Sequence, residues 1–166
     1  DEQTLILKEL FLLTSKPIIT VSNVDETRLK DSSDEDVWIC AKIEDELVDL
    51  SADEASDYLN ELGVKSSGLD KLIGAAYDAL GLQTFLTAGP KECRAWTVRK
   101  GAKAPEAAGR IHTDFEKGFI CAEVISYDDF VECGGEAGAK EKGKMRKEGK
   151  EYLMKDGDVV LFRFNL

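Results

Sequence analysis

The stretch PIITVSNVDE, residues 17–26, largely decides how the first half of the chain is interpreted. Its β-branched run predicts a short buried strand that ends at Asn23, and Glu26 follows three positions later. Open α/β sheets bind ligands at the carboxyl ends of their strands, so this pair predicts one side of a binding pocket. The Asn-x-x-Glu pattern alone proves nothing, because a strand-ending asparagine and a solvent-exposed acid are the simpler explanation; its position at the end of a strand is what favours a pocket.

A second strand and helix follow at once. The apolar run VWIC (37–40) predicts a strand, and AKIEDELVDL (41–50) predicts a helix after it. A helix over 2–14 is expected before these strands, and a polar surface loop over 27–36 between them. Ser51 and Glu54 form a capping-box pattern for the next helix, and a further helix is expected over about 68–80.

Two strand–helix units make a parallel sheet that is too small to be buried on both faces. We therefore interpret residues 1–81 as the end of a larger α/β domain. The chain also begins at Asp1 without a methionine, and we interpret it as a fragment.

The second half has a different pattern, typical of a small α+β domain. TFLTA (84–88) and RAWTVRK (94–100) predict a hairpin, and PEAAGRI (105–111) predicts a helix that crosses it. FICAEVIS (119–126) predicts a strand with Ile120, Ala122 and Val124 on its buried face. The segment YLMKDGDVVLFRF (152–164) predicts a final hairpin across an Asp-Gly turn.

Charge is distributed unevenly between the halves. Residues 1–81 hold 7 Lys+Arg against 19 Asp+Glu, whereas residues 82–166 hold 15 against 14. The acidic first half argues against phosphate-backbone binding there. The segment KEKGKMRKEGK (140–150) is the basic cluster of the chain, and it favours contact with a polyanion, although a solvated helix face is the alternative.

Cysteine and histidine spacing predicts neither disulfides nor a metal site. The four cysteines lie at 40, 93, 121 and 133, far from any CxxC pattern, and His112 is the single histidine. We expect His112 to have a packing or capping role. No apolar run reaches the roughly 18 residues that a membrane span needs, so we expect a cytoplasmic protein without a membrane partner. DNA is not expected as a partner either.

Several blocks together resemble the YchF group of Obg-like ATPases. They are KPIITVSNVDE (16–26), WICAKIEDELVDLS (38–51), GLDKLIGAAYDALGLQTFLTAG (68–89), ECRAWTVRKGAKAPEAAGRIHTDFEKGFICAEVISYDDF (92–130) and KDGDVVLFRFNL (155–166). The resemblance implies the C-terminal α/β portion of a P-loop NTPase domain, with parallel strands, over 1–81. It implies an α+β ubiquitin-like β-grasp module, the TGS domain, over 82–166.

The resemblance also implies that NVDE lies at the nucleotide base, where related GTPases carry Asn-Lys-x-Asp. Guanine offers its N1–H and 2-amino group to that aspartate, and adenine offers neither. Glu26 is one methylene longer than aspartate, which favours ATP over GTP. Asn23 matches the N7 and N6 edge of adenine, and Val24 can lie against the ring.

Cys40, Ala41 and Lys42 match the last nucleotide motif of the family, in which backbone groups close over the base. No GxxxxGK[ST] loop occurs in the sequence, so we expect residues outside this chain to hold the phosphates and Mg²⁺. The chain alone is therefore expected to hold no catalytic residue and to lack ATPase activity, while its parent is an ATPase.

The TGS half is expected to contact the ribosome or ribosomal RNA through the basic cluster. Its candidate residues are Lys140, Lys142, Lys144, Arg146 and Lys147. The alternative function is a stand-alone β-grasp interaction module without a nucleotide role; a ubiquitin-like modifier is disfavoured because the chain ends FRFNL rather than Gly-Gly.

Overall fold

The structure, a computed structural model, describes residues 9–31, 37–89 and 92–165. The chain divides into two compact units, Asp1–Leu80 and Gly81–Leu166. Each unit has its own hydrophobic core and its own β-sheet. Among the described residues, no helix is both long enough and apolar enough to cross a membrane.

The sheet of the first unit consists of two short parallel strands, β1 (Val21–Asn23) and β2 (Val37–Ile39). Asn23 pairs with Ile39, so the carboxyl ends of both strands lie side by side. The Val24 N–H extends the pairing by donating to the Ile39 carbonyl oxygen at 2.8 Å. The predicted parallel pair of strands is confirmed.

The described helices of this unit follow the strands. They are α1 (Glu26–Leu29), α2 (Ala41–Val48), α3 (Ala52–Glu61) and α4 (Gly68–Leu80). The predicted capping box is present at the start of α3, where Ser51 and Glu54 satisfy each other's backbone N–H groups. The unit's core forms around Leu29, Cys40 and Ile43.

Two local predictions for this unit were wrong in part. The predicted helix over 2–14 lies mostly outside the described residues, and Leu13–Ser15 is a 3-10 helix. The positive φ of Phe11, 48°, is incompatible with a continuous α-helix up to 14. The predicted loop over 27–36 begins with the turn of α1 instead, because Leu29 is buried in the core.

The second unit has a mixed five-stranded sheet with helices between its strands. The strands are β3 (Leu82–Ala88), β4 (Cys93–Arg99), β5 (Phe119–Ser126), β6 (Arg146–Glu148) and β7 (Asp158–Phe164). Their spatial order is β4-β3-β7-β5-β6. The last strand therefore lies at the centre, parallel to β3 and antiparallel to β5.

The described helices of the second unit are α5 (Ala104–Ile111), α6 (Thr113–Lys117), α7 (Tyr127–Glu132) and α8 (Glu136–Glu141). α5 packs against β4 and β5. Its small buried residues, Ala104, Ala107 and Ala108, let it approach the sheet closely. Phe85 and Phe162 meet edge to face in the core beneath it, with ring centroids 5.8 Å apart.

The predicted final hairpin was wrong. Residues 152–154 do not pair with β7, and Leu153 forms only an isolated bridge with Lys103. The Asp-Gly turn binds β3 instead: the Thr84 N–H donates to Asp156 Oδ1 at 2.7 Å, and Gly157 donates to the Thr84 carbonyl. β7 is thereby directed between β3 and β5.

The predicted burial of β5 was wrong at Ile120, whose side chain is 56% exposed. The register of β5 against β7 shifts between Phe119 and Cys121. This irregularity places Phe119 in the same core as Ala122 and Val124 and leaves Ile120 outside it. Cys121 is also buried but is not part of that core cluster. Ala122 and Val124 are buried as predicted.

Candidate functional site

The carboxyl ends of β1 and β2 bring two separate sequence motifs together. The backbone N–H of Ala41, at the start of α2, donates to Asn23 Oδ1 at 3.2 Å. These residues are 18 positions apart in sequence and meet because the two strands are parallel and adjacent. The contact fixes the orientation of the Asn23 amide, so that its NH₂ group remains to donate elsewhere.

The acid of the first motif meets the lysine of the second. Lys42 Nζ lies 3.3 Å from Glu26 Oε2 and 3.8 Å from Glu46 Oε1. The hydrogen bond to Glu26 raises the pKa of Lys42, and the charges of Glu26 and Glu46 add to the effect. The Glu26 carboxylate therefore faces an ammonium group that remains protonated at neutral pH.

The two remaining candidate residues, Cys40 and Val24, turn their side chains toward the core. Cys40 is 5% exposed and belongs to the core, so only its backbone can face a ligand. Val24 is partly buried against the same core. The contact of Val24 with a base ring stays a prediction. Only the accessible part of the Val24 side chain is available for that contact.

Neighbouring residues that the sequence patterns did not single out support this region. The Glu44 carboxylate accepts the Gly68 N–H at 2.7 Å and thereby fixes the start of α4 against α2. The Tyr58 hydroxyl donates to Glu46, and this hydrogen bond raises the pKa of Tyr58 to about 12. The i,i+4 spacing of Lys42 and Glu46 in the sequence could have predicted the contact between these two side chains. No local sequence pattern predicts the hydrogen bond of Tyr58 to Glu46.

The basic cluster of the second unit is not a uniform surface. Lys144 Nζ lies 3.0 Å from Asp129 Oδ1, and this contact raises the pKa of Lys144. Arg146 lies between Glu148, the Tyr152 ring and the buried Asp158. These two cations are engaged within the unit.

The remaining candidates, Lys140, Lys142 and Lys147, are exposed and make no ion pair among the described residues. Lys140 lies in the last turn of α8, Lys142 follows that helix, and Lys147 lies in the edge strand β6. Lys147 and Arg146 are consecutive in a strand and so point to opposite faces. The five candidate cations thus divide into two that are engaged within the unit and three that are available.

His112 has the capping role expected of it. It is the N-cap of α6, and its Nδ1 accepts the Asp114 N–H at 3.2 Å. Among the described residues, no group of three or more His, Cys, Asp or Glu side chains could hold a metal ion.

Comparison with known proteins identifies the family. A family model for the C-terminal region of YchF GTPases, described as a protein of unknown function (DUF933), matches residues 82–165. The ribosome-binding ATPase YchF of Bacillus subtilis is 50% identical over 182 residues, covering 100% of this chain and 50% of the relative. The chain belongs to the YchF family of Obg-like ATPases. Obg-like ATPase 1 of Gallus gallus is 44% identical, covering 99% of this chain and 46% of the relative.

The YchF family assignment extends to the fold. The structure of the Schizosaccharomyces pombe YchF GTPase is 35% identical, with a TM-score of 0.78, covering 95% of this chain and 46% of that one. The chain spans about half the length of the curated YchF relatives that it matches.

Proposed function

We propose that the first unit recognises the base of ATP in a YchF-type, translation-associated ATPase. The observation that carries the proposal is the hydrogen bond from Ala41 to Asn23. It joins the two motifs that we propose to lie at the base, at the strand ends where α/β sheets bind ligands.

Asn23 is proposed to read the base through its amide. Its Oδ1 is held by Ala41, so its NH₂ group donates to N7 of adenine, and a second lone pair on Oδ1 accepts from N6. Ala41 and Lys42 supply backbone at the start of α2, beside the base. Cys40 contributes backbone only, because its thiol is buried.

This chain is assigned no catalytic residue and no metal ligand. ATP hydrolysis depends on contacts with the phosphates and Mg²⁺, and we propose that parts of the protein other than residues 1–166 supply them. The role proposed for residues 1–81 is selection of the nucleotide as part of an NTPase domain.

The second unit is proposed to be a TGS domain of the β-grasp type that binds the ribosome in the cytoplasm. The central position of β7 beside β3, with α5 packed on the sheet, supports this fold. Curated relatives are named ribosome-binding ATPases. The available cations Lys140, Lys142 and Lys147 supply positive charge that can contact RNA phosphates.

Substitution of Asn23 tests the nucleotide proposal. We expect Asn23→Ala in the full-length protein to weaken ATP binding about tenfold, since it removes one or two hydrogen bonds to the base. Isothermal titration calorimetry with ATP measures the effect. Asn60→Ala, at an exposed position of α3, is the matched control and should bind like wild type. Equal ATP affinity of Asn23→Ala and wild type would contradict the proposed site.

A further inference from the structure

We infer that the Lys42 side chain determines base specificity, by engaging the Glu26 carboxylate and so disfavouring guanine. This inference rests on the proposed nucleotide site. It assigns a role to the Lys42 ammonium, whereas the family pattern concerns the backbone at this position.

The ion pair links the two nucleotide motifs by a second contact. Lys42 Nζ approaches Glu26 Oε2 at 3.3 Å, across 16 positions of sequence. The pair lies next to the contact between Asn23 and Ala41, because Ala41 and Lys42 are consecutive. The side chains of Lys42 and Glu26 are 69% and 45% exposed, so both are accessible to a ligand.

A second carboxylate, that of Glu46, also contacts the Lys42 ammonium group. Glu46, one helical turn further along α2, lies 3.8 Å from Lys42 Nζ. Tyr58 donates its hydroxyl proton to Glu46 and so anchors that carboxylate to α3. The ammonium is thus positioned from two directions and kept over Glu26.

The chemistry of the two bases differs at this point. Guanine presents two adjacent donors, N1–H and the 2-amino group, and its paired contact uses both oxygens of one carboxylate, including the oxygen that Lys42 engages. Adenine presents an acceptor at N1 and has no 2-amino group. An ammonium group paired with Glu26 competes with the guanine donors for the carboxylate oxygens, and its positive charge repels those donors. Adenine has no donors at these positions, so the ammonium group costs it no binding affinity.

Removal of the ion pair between Lys42 and Glu26 is expected to leave the protein folded. Exposed ion pairs contribute little to stability, so Lys42→Met should fold normally while it retains the aliphatic part of the side chain. Its effect should therefore appear in nucleotide selection.

The test compares Kd values for ATP and GTP in the full-length protein at one Mg²⁺ concentration. Wild type should prefer ATP, and Lys42→Met should reduce the ATP-to-GTP preference about 5- to 10-fold, chiefly by tighter GTP binding. Lys65→Met is the matched control, because Lys65 is an exposed lysine outside the base motifs. In a Glu26→Gln background, Lys42→Met should leave the preference unchanged, since Lys42 acts through the carboxylate.

The outcomes separate the inference from the proposed function. If wild type binds neither nucleotide, the proposed site itself is wrong. If wild type prefers ATP and Lys42→Met keeps the same preference, the inference alone is overturned. It is also overturned if Lys65→Met shifts the preference equally, or if Lys42→Met has its full effect in the Glu26→Gln background.

Discussion

Gly68 lies in direct contact with the backbone of Trp38, where α4 begins beside β2. A Cβ built at Gly68 would lie 2.7 Å from the Trp38 carbonyl oxygen and 2.8 Å from the Ile39 Cα. Both neighbours are backbone atoms of a paired strand, so they cannot move aside as a flexible side chain would. This glycine therefore sets the distance between the helix and the strand that ends at the candidate site.

We expect Gly68→Ala to destabilise the first unit by about 1–3 kcal/mol, because the added methyl group forces α4 away from β2. Hydrogen exchange of amides in α2 and α4 measures the loss. Gly74→Ala is the matched control in the same helix, since a Cβ there would meet nothing within 4 Å. The control should be neutral or stabilising by about 0.5–1 kcal/mol, as alanine favours helices. Equal protection in both variants would show that α4 tolerates displacement from β2.

The second unit contains a buried polar network at the start of β7. Asp158 is 3% exposed and accepts hydrogen bonds from the Tyr152 hydroxyl and the Lys155 N–H, both at 2.9 Å. Burial, followed by the hydrogen bond to Asp158, raises the pKa of Tyr152 to about 12. The neutral phenol is therefore favoured in the folded state.

The sign of the pH dependence follows from this shift. Tyr152 contributes stability that is complete below its unfolded pKa of about 10 and is lost as pH rises toward 12. Tyr152→Phe should unfold more easily at pH 7, by about 1–2 kcal/mol, since Asp158 loses a donor. The difference between the variant and wild type should shrink between pH 10 and 12, as measured by urea denaturation. A difference that stays constant over this range would contradict the proposed titration.

Local patterns predicted much of the first unit. The β-branched run that ends at Asn23, the capping box at Ser51 and the apolar stripe of α4 each specify an element within one short window. The placement of a site at two parallel strand ends followed from them, and the structure brings Asn23 and Ala41 together there. The local patterns did not predict which side chains contact each other, because the contact of Lys42 with Glu26 depends on tertiary geometry.

Long-range pairing explains the errors in the second unit. An Asp-Gly turn commonly closes a hairpin, yet here Asp156 bonds Thr84, 72 positions away. β6 reads RKE and has no apolar residue to signal a strand; its pairing with β5 defines it. The exposure of Ile120 depends on a register shift that alternation alone does not show. In each case a distant strand decided the local structure.

The division of the basic cluster leads to the final prediction. Replacing Lys144 or Arg146 would disturb the contacts with Asp129 and Asp158, so a loss of ribosome binding would be ambiguous. Lys140, Lys142 and Lys147 avoid this problem, because they are exposed and form no ion pair within the described part of the chain. We expect the triple substitution of these lysines by alanine to weaken ribosome co-sedimentation of the full-length protein at low salt.

The salt dependence of this binding should also become flatter. Each phosphate contact contributes roughly 0.7–0.9 to the slope of log K against log salt, so the loss of three contacts lowers the slope by about 2–3. Alanine substitution of Lys16, Lys65 and Lys117 removes the same charge at exposed positions elsewhere and is the control. Both triple variants should keep the ATP affinity of wild type. If the Lys140, Lys142 and Lys147 variant sediments like this control across the salt series, the cluster is a solvated surface, and ribosome contact lies elsewhere on the protein.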